Sequence, residues 1–218
     1  MKLFDNRVQE TKYKVLREVA YQTWKGNDVF AEFNEIANNV IPKDEPPQTC
    51  CIYKDRAVVA ERVRLAVGGS RNNTNIVQVI DIACNECPEA GYVVTDLCRG
   101  CLAHSCVQSC KRDAIIIDSH QHAHIDKNKC VECGRCAGAC QYSAIHNFQR
   151  PCERACKVNA ISMGPGGEAS IDYEKCIDCG ACVYHCPFGA TVDVSSIVSV
   201  IKEIQAAEDE CKKDRMIA

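Results

Sequence analysis

No stretch of the chain reaches the roughly 18 consecutive apolar residues that a membrane span needs. The opening MKLFDNRVQETKYK holds no apolar core of a secretion signal. These two absences lead to the expectation of a cytoplasmic location. An excess of charge of one sign is lacking too: 26 Lys and Arg stand against 29 Asp and Glu, a net charge of −3. Nothing in that balance points to nucleic acid or to an anionic membrane surface. Gly68-Gly69 and the glycines between 164 and 167 lack the spacing of a P-loop or of a dinucleotide fingerprint, and read as a helix stop and a turn. No pair of carboxylates, activated nucleophile or cofactor fingerprint marks a catalytic site. Whether the chain is itself an enzyme is therefore left open.

What is abundant is cysteine, nineteen in 218 residues. In a short secreted protein that density would suggest a disulfide scaffold. In a reducing cytoplasm thiols stay reduced and bind soft metals, so metal ligation is the expectation. The cysteines are also segregated: two at 50 and 51, one at 211, and the remaining sixteen between 84 and 186.

The fold class expected is α+β, with a helical N-terminal region, tandem cysteine-rich units and a C-terminal helix. Residues 1–75 carry helical patterns: Val8, Tyr13, Val15, Leu16 and Val19, then Phe30, Phe33, Ile36, Ala37 and Val40, then Val58, Val59, Val63, Ala66 and Val67 before Gly68. NIVQVIDIAC, from Asn75, has the alternating β-branched character of a strand leading into the cysteine zone. Residues 76–143 read as a first unit with its leading CxxC segment and 144–190 as a second. Residues 191–218 hold a helix over about 195–207, with Ile197, Val198, Ile201 and Ile204 on one side, and a polar tail.

The two units repeat. Moving Cys106, Cys110, Cys130, Cys133, Cys136 and Cys140 forward by 46 positions lands on Cys152, Cys156, Cys176, Cys179, Cys182 and Cys186. Ala114-Ile115 falls on Ala160-Ile161, and Ile125-Asp126 on Ile171-Asp172. Such a fixed period marks a duplicated structural unit. Each copy has C-x3-C, an apolar pair, a turn, a short ID segment and then C-x2-C-x2-C-x3-C. That last run is a bacterial iron-sulfur spacing, in which three thiolates wrap one cluster and the fourth reaches another.

The pattern resembles the two-cluster bacterial ferredoxins, and the resemblance implies ligand sets. Cys98, Cys101, Cys106 and Cys140 would hold cluster one. Cys110, Cys130, Cys133 and Cys136 would hold cluster two, and Cys156, Cys176, Cys179 and Cys182 cluster three. Of the fourth cysteines only Cys186 precedes the proline common in that family; Cys110 and Cys140 precede Lys111 and Gln141.

The second unit lacks half a motif, since the counterparts of Cys98 and Cys101 are Ala144 and Asn147. Cys84 and Cys87, in CNECP, are the unassigned donors that could join Cys152 and Cys186 as cluster four, giving three to four 4Fe-4S clusters in all. Three alternatives stand beside this. Cys84, Cys87, Cys98 and Cys101 could hold zinc or a single iron, as paired CxxC motifs do. His146 could replace a thiolate, or Cys152 and Cys186 could be buried thiols without a metal. His120, His122 and His124 alternate as they would on one face of a strand, although a turn between two strands is the plainer account. Cys50 and Cys51 are adjacent and expected to point apart, and Cys211 lies in the charged tail.

Clusters without a catalytic site read as a wire for low-potential electron transfer. TCCIYKDRAVVAERVRLAVGG, IDIACNECP and VTDLCRGCLAHSC, followed by the two units, resemble the N-terminal part of the monomeric group B FeFe-hydrogenases of anaerobic bacteria. That resemblance implies a module through which electrons enter, supplied by a redox partner such as a ferredoxin and serving an H-cluster catalytic domain outside this chain. The family's active-site signature is absent, because Cys50-Cys51 runs on into Ile52. A free-standing polyferredoxin that docks on a separate oxidoreductase, and an iron-sulfur redox sensor, are the alternatives.

Overall fold

The computed structural model describes the backbone of residues 3–70, 72–84, 87–88 and 90–217, with side chains to residue 209. Asn6 opens the first helix, α1 (Arg7–Trp24), by accepting the Gln9 amide at 3.0 Å on its side chain. This satisfies one of the donors a helix start leaves without a partner. Helix α1 buries Thr11, Val15, Val19, Gln22 and Thr23 along one stripe, and α2 (Phe33–Val40) buries Ile36, Ala37 and Val40. Helix α3 (Ile52–Ala66) buries Val58, Val59, Val63, Leu65 and Ala66 and stops where Gly69, in left-handed backbone, returns its amide to Arg64 at 2.9 Å. Val15 and Val19 of α1, Ile36, Ala37 and Val40 of α2, and Val59, Val63 and Ala66 of α3 share one apolar core, against which Ile197 and Val198 also pack, while Val58 and Leu65 belong to a second core.

Strand β1 (Val77–Val79) follows and is shorter than the sequence suggests. The strand expected to run on to Cys84 ends at Val79 and gives way to a helical turn, α4 (Asp81–Cys84). The Ile80 amide donates to the Ala190 carbonyl at 2.8 Å and the Ala83 amide folds back to Ile80 at 3.0 Å, which turns the chain before the cysteine.

Next come β2 (Gly91–Val94), α5 (Ser105–Ser109), β3 (Ile115–Ile117), β4 (Ala123–Ile125), α6 (Arg135–Ala139) and β5 (Ile145–Phe148). β3 and β4 form a hairpin with Ile115 opposite Ile125, while β2 pairs antiparallel with β5, Gly91 opposite Phe148. The same order then recurs as α7 (Pro151–Ala155), β6 (Ile161–Met163), β7 (Ala169–Ile171), α8 (Ala181–His185) and β8 (Thr191–Asp193). β6 and β7 pair as a hairpin, and β8 takes β1 as its antiparallel partner, Val77 opposite Asp193. The last helix, α9 (Ile197–Ile217), extends well past the 195–207 expected.

Strand, helix, hairpin, helix, strand therefore occurs twice, and the second copy is split. Its opening strand β1 precedes the whole of the first copy, which lies inserted between β1 and α7. The chain divides accordingly into one compact unit, Met1–Glu86 with Pro151–Ala218, and another, Cys87–Arg150. The divisions expected from the sequence fall at 75/76, 143/144 and 190/191. Strand pairing follows a different rule, since β5 closes the first copy and β1 belongs with β8. Among the described residues no helix is long and apolar enough to cross a membrane.

Candidate metal centres

Four short helices run into a cysteine: Cys110, Cys140, Cys156 and Cys186 directly follow α5, α6, α7 and α8. Three residues further on, the backbone is left-handed each time, at Asp113 (φ 47°), Ser143 (50°), Asn159 (51°) and Gly189 (59°). This turn aims the next amide back at sulfur. Ala114 donates to Cys110 Sγ and Ala144 to Cys140 Sγ, both at 3.4 Å; Ala160 donates to Cys156 Sγ and Ala190 to Cys186 Sγ, both at 3.2 Å. An N–H pointed at sulfur favours the thiolate that a metal needs. Each of these buried alanines leads directly into a strand. The C-x3-A pattern stands in the sequence, its copies 30 residues apart within each unit, and is a signal for these turns distinct from the 46-residue period.

Within residues 87–150, Cys110, Cys130, Cys133 and Cys136 line one cavity walled by Tyr92, Ile115, Ile125 and Val131. Burial pushes the Cys136 thiol up, the Ala137 amide opposes this, and the thiols of Cys130 and Cys110 add to it. Cys98, Cys106 and Cys140 pack on the same core. The Cys106 thiol is likewise pushed up by burial, against the Val107 amide, and further by Cys101 and Cys140. Each of these buried thiols thus has as neighbours the cysteines of its own expected set.

The other unit shows the same arrangement. Cys156, Cys176, Cys179 and Cys182 line a cavity walled by Val77, Val158, Ile161, Ile171 and Ile177. Cys84, Cys152 and Cys186 are 4, 5 and 7% exposed in one apolar cluster. Burial drives the Cys152 thiol up to about 12, with Cys186 and Cys84 both contributing. The Ala169 amide donates to Cys84 Sγ at 3.2 Å. Cys87, half-buried, follows three residues later, and its place in this set rests on that spacing.

The positions that leave the second unit short of ligands are explained by pairing. Ala144 and Asn147 belong to the closing segment of the inserted copy, where Asn147 lies opposite Tyr92. His146 stands exposed on β5, opposite Val93. His120 and His122 lie in the turn between β3 and β4, while His124, on β4, bonds Asp118 Oδ2 through Nε2 at 2.7 Å. Cys50 and Cys51, expected to diverge, instead have Sγ atoms 3.8 Å apart, although Cys51 is in extended backbone at the start of α3. The side chain of Cys211 lies outside the described residues.

Four thiols on one zinc or iron ion would each stand about 2.3 Å from it. Among the described residues no three His, Cys, Asp or Glu side chains are gathered tightly enough for a single ion. In a cubane each thiolate meets a different iron, so its ligands stand further apart. The cysteine-lined cavities, with amides directed at sulfur, fit such a group.

Comparison with known proteins agrees. Residues 150–190 match the 4Fe-4S dicluster domain family and residues 123–146 the 4Fe-4S binding domain family. A protein named Ferredoxin 7Fe from Hydrogenibacillus schlegelii is 39% identical over 56 residues, which cover 26% of this chain and 70% of that protein. A ferredoxin of Alicyclobacillus acidocaldarius is 36% identical over 55 residues, 25% of this chain and 69% of its own length. For a ferredoxin of Mycobacterium tuberculosis the identity is also 36% over 55 residues, 47% of its length.

Proposed function

This chain belongs to the ferredoxin family, and from that premise we propose that it carries electrons through four 4Fe-4S clusters: one on Cys98, Cys101, Cys106 and Cys140, one on Cys110, Cys130, Cys133 and Cys136, one on Cys156, Cys176, Cys179 and Cys182, and one on Cys84, Cys87, Cys152 and Cys186. A bound cluster of this type supplies one-electron chemistry at a potential set by hydrogen bonds to sulfur, burial and nearby charge. The residues of the chain keep water out with apolar walls and direct the amides of Ala114, Ala144, Ala160 and Ala190 at sulfur. The observation that carries the fourth set is the meeting of Cys84, Cys152 and Cys186 in one buried cluster. The dicluster match over residues 150–190 supports it, because that segment holds only six of the eight cysteines two clusters need.

Iron and sulfide analysis after anaerobic purification tests the reading. About sixteen irons per chain support four clusters, and about twelve remove the fourth. One relative bears a 7Fe name, so cluster content needs to be counted here rather than carried over.

We further propose that these electrons reach an H-cluster catalytic domain outside this chain and arrive from a smaller redox partner. The helical leader and the CRGCLAHSC segment support this through their resemblance to FeFe-hydrogenases. A coding frame that continues past Ala218 into a hydrogen-evolving domain is the expected finding. The exposed Tyr21, Trp24 and Phe30 of the helical region favour a second reading, a carrier that docks on a separate oxidoreductase. Electron transfer by the chain alone to such an enzyme, lost when these aromatics are replaced by serine, would favour it.

A further inference from the structure

Arg62, on α3, is 6% exposed. Arginine is almost never buried this deeply unless it is paired, because an uncompensated charge in the interior is costly. Yet among the described residues no carboxylate pairs with it. Its Nη2 donates to the carbonyls of Gly189 at 2.9 Å and Phe188 at 3.3 Å, and its Nε is buried without a hydrogen-bond partner. The nearby acids are engaged elsewhere. Glu61 holds Arg64 at 2.8 Å, Asp55 accepts from the Gln48 amide and the Thr49 hydroxyl, and Asp193 pairs with Lys12. Burial works against the charged form of Arg62, and the acidic group that favours it is the Cys186 thiol.

Gly189 shows that the fold makes room for this guanidinium. It occupies the left-handed position three residues after Cys186, and its equivalents Asp113, Ser143 and Asn159 all carry side chains there. Backbone conformation therefore does not require glycine. The approach of Arg62 does, because a Cβ on Gly189 would lie 2.5 Å from Arg62 Nη2 and 2.5 Å from a methyl of Val8. The loop that presents the Ala190 amide to Cys186 Sγ thus also receives, at Gly189, a cation whose bonded partners among the described residues are carbonyls.

We infer that Arg62 is the counter-charge of the cluster on Cys84, Cys87, Cys152 and Cys186, and raises its reduction potential. This rests on the four-cluster reading. A cluster held by four thiolates is anionic, and taking up an electron makes it more so. A cation held beside Cys186 in low dielectric favours the reduced form.

The test is a reductive titration of the anaerobically purified full chain followed by paramagnetic resonance, with Cys84→Ser identifying the signal of this site. For Arg62→Gln, the reduced-to-oxidised ratio of that signal at fixed potential is expected to fall about tenfold, or about 59 mV for a one-electron couple. The other signals should hold still. Arg62→Lys, which keeps the charge, should recover most of the shift. Equal shifts in the Gln and Lys variants, or no shift in Arg62→Gln at full iron content, overturn the inference and leave the four clusters standing. About twelve irons in the unmodified chain, with no signal lost in Cys84→Ser, overturns both. Should Arg62→Gln fail to hold iron, Gly189→Ala displaces the guanidinium without removing it, and an unmoved potential there also overturns the inference.

Discussion

The amide of Ala169 donates to the Sγ of Cys84 at 3.2 Å, although 85 positions separate the two residues. Ala169 begins the second strand of the split unit's hairpin, and Cys84 lies just beyond that unit's opening strand. The bond therefore ties the upstream CxxC segment to the same core as Cys152 and Cys186. If these cysteines serve one cluster, Cys84→Ser and Cys152→Ser should each lower the iron content by about a quarter. The double variant should lose no more than either single one, since effects on a shared site do not add. Iron analysis of the three proteins decides this, and additive losses would place Cys84 and Cys152 in different sites.

The 46-residue period made the cysteine content of each unit legible, while the grouping of Cys110 with Cys130, Cys133 and Cys136 came from the resemblance to two-cluster ferredoxins. The period could not show which strands pair, because pairing depends on contacts far apart in sequence. β1 and β8 are short, three residues each, and nothing in VQV names TVD as its partner across an inserted unit. The same limit hid Arg62. On a helical wheel it sits among Val58, Val59 and Val63, where an arginine reads as a residue reaching to solvent, and only the glycine at 189 hints at what it meets. The helical leader was legible because its stripes are long. The length of α9 was not, since its last turns are polar.

Leu65 is fully buried between α3 and the core that contains Val77, Cys84 and Cys186. Its carbonyl also accepts the Ser195 amide at 3.0 Å, so the backbone there is fixed and has little freedom to close a void. Leu65→Ala should cost about 2–5 kcal/mol. The expected result is a lower thermal midpoint for bleaching of cluster absorbance, with iron content unchanged at low temperature. A midpoint equal to that of the unmodified chain would mean this core does not support the sites.

Asp118 organises the turn between β3 and β4. Its side chain accepts from the amides of His120 and His122, both at 2.8 Å, and bonds His124 Nε2 at 2.7 Å. The bond to His124, then the His122 amide, hold the carboxyl at about 2, below its ordinary 3.8. A lowered carboxylate pKa contributes to the fold above the unfolded value and loses that contribution as pH falls through the folded one. Protection of the His120 and His122 amides from hydrogen exchange should therefore be full at neutral pH and decline between about pH 4 and pH 2. Asp118→Ala should speed both exchanges at neutral pH, and Asp118→Asn, which keeps an acceptor oxygen, should speed them less.

Cys50 and Cys51 lie outside the proposed ligand sets, their sulfurs 3.8 Å apart. Cys51 precedes α3, where the Lys54 amide, then the Cys50 thiol and the Tyr53 amide, lower its pKa against the opposing effects of burial and of Asp55. The thiolate is the nucleophile, so the protein with its clusters intact should be alkylated at Cys51 ahead of the sixteen central cysteines. Mass mapping after brief anaerobic iodoacetamide treatment checks this, and removing iron with a chelator should then open the central positions. Cys50→Ala takes away the thiol that supports the Cys51 thiolate and should slow its alkylation near pH 7.5, whereas Cys50→Ser keeps a donor and should slow it less. Equal rates in the two variants and the unmodified chain would show that the Cys50 thiol does not activate its neighbour, leaving the helix amides as the cause of any reactivity.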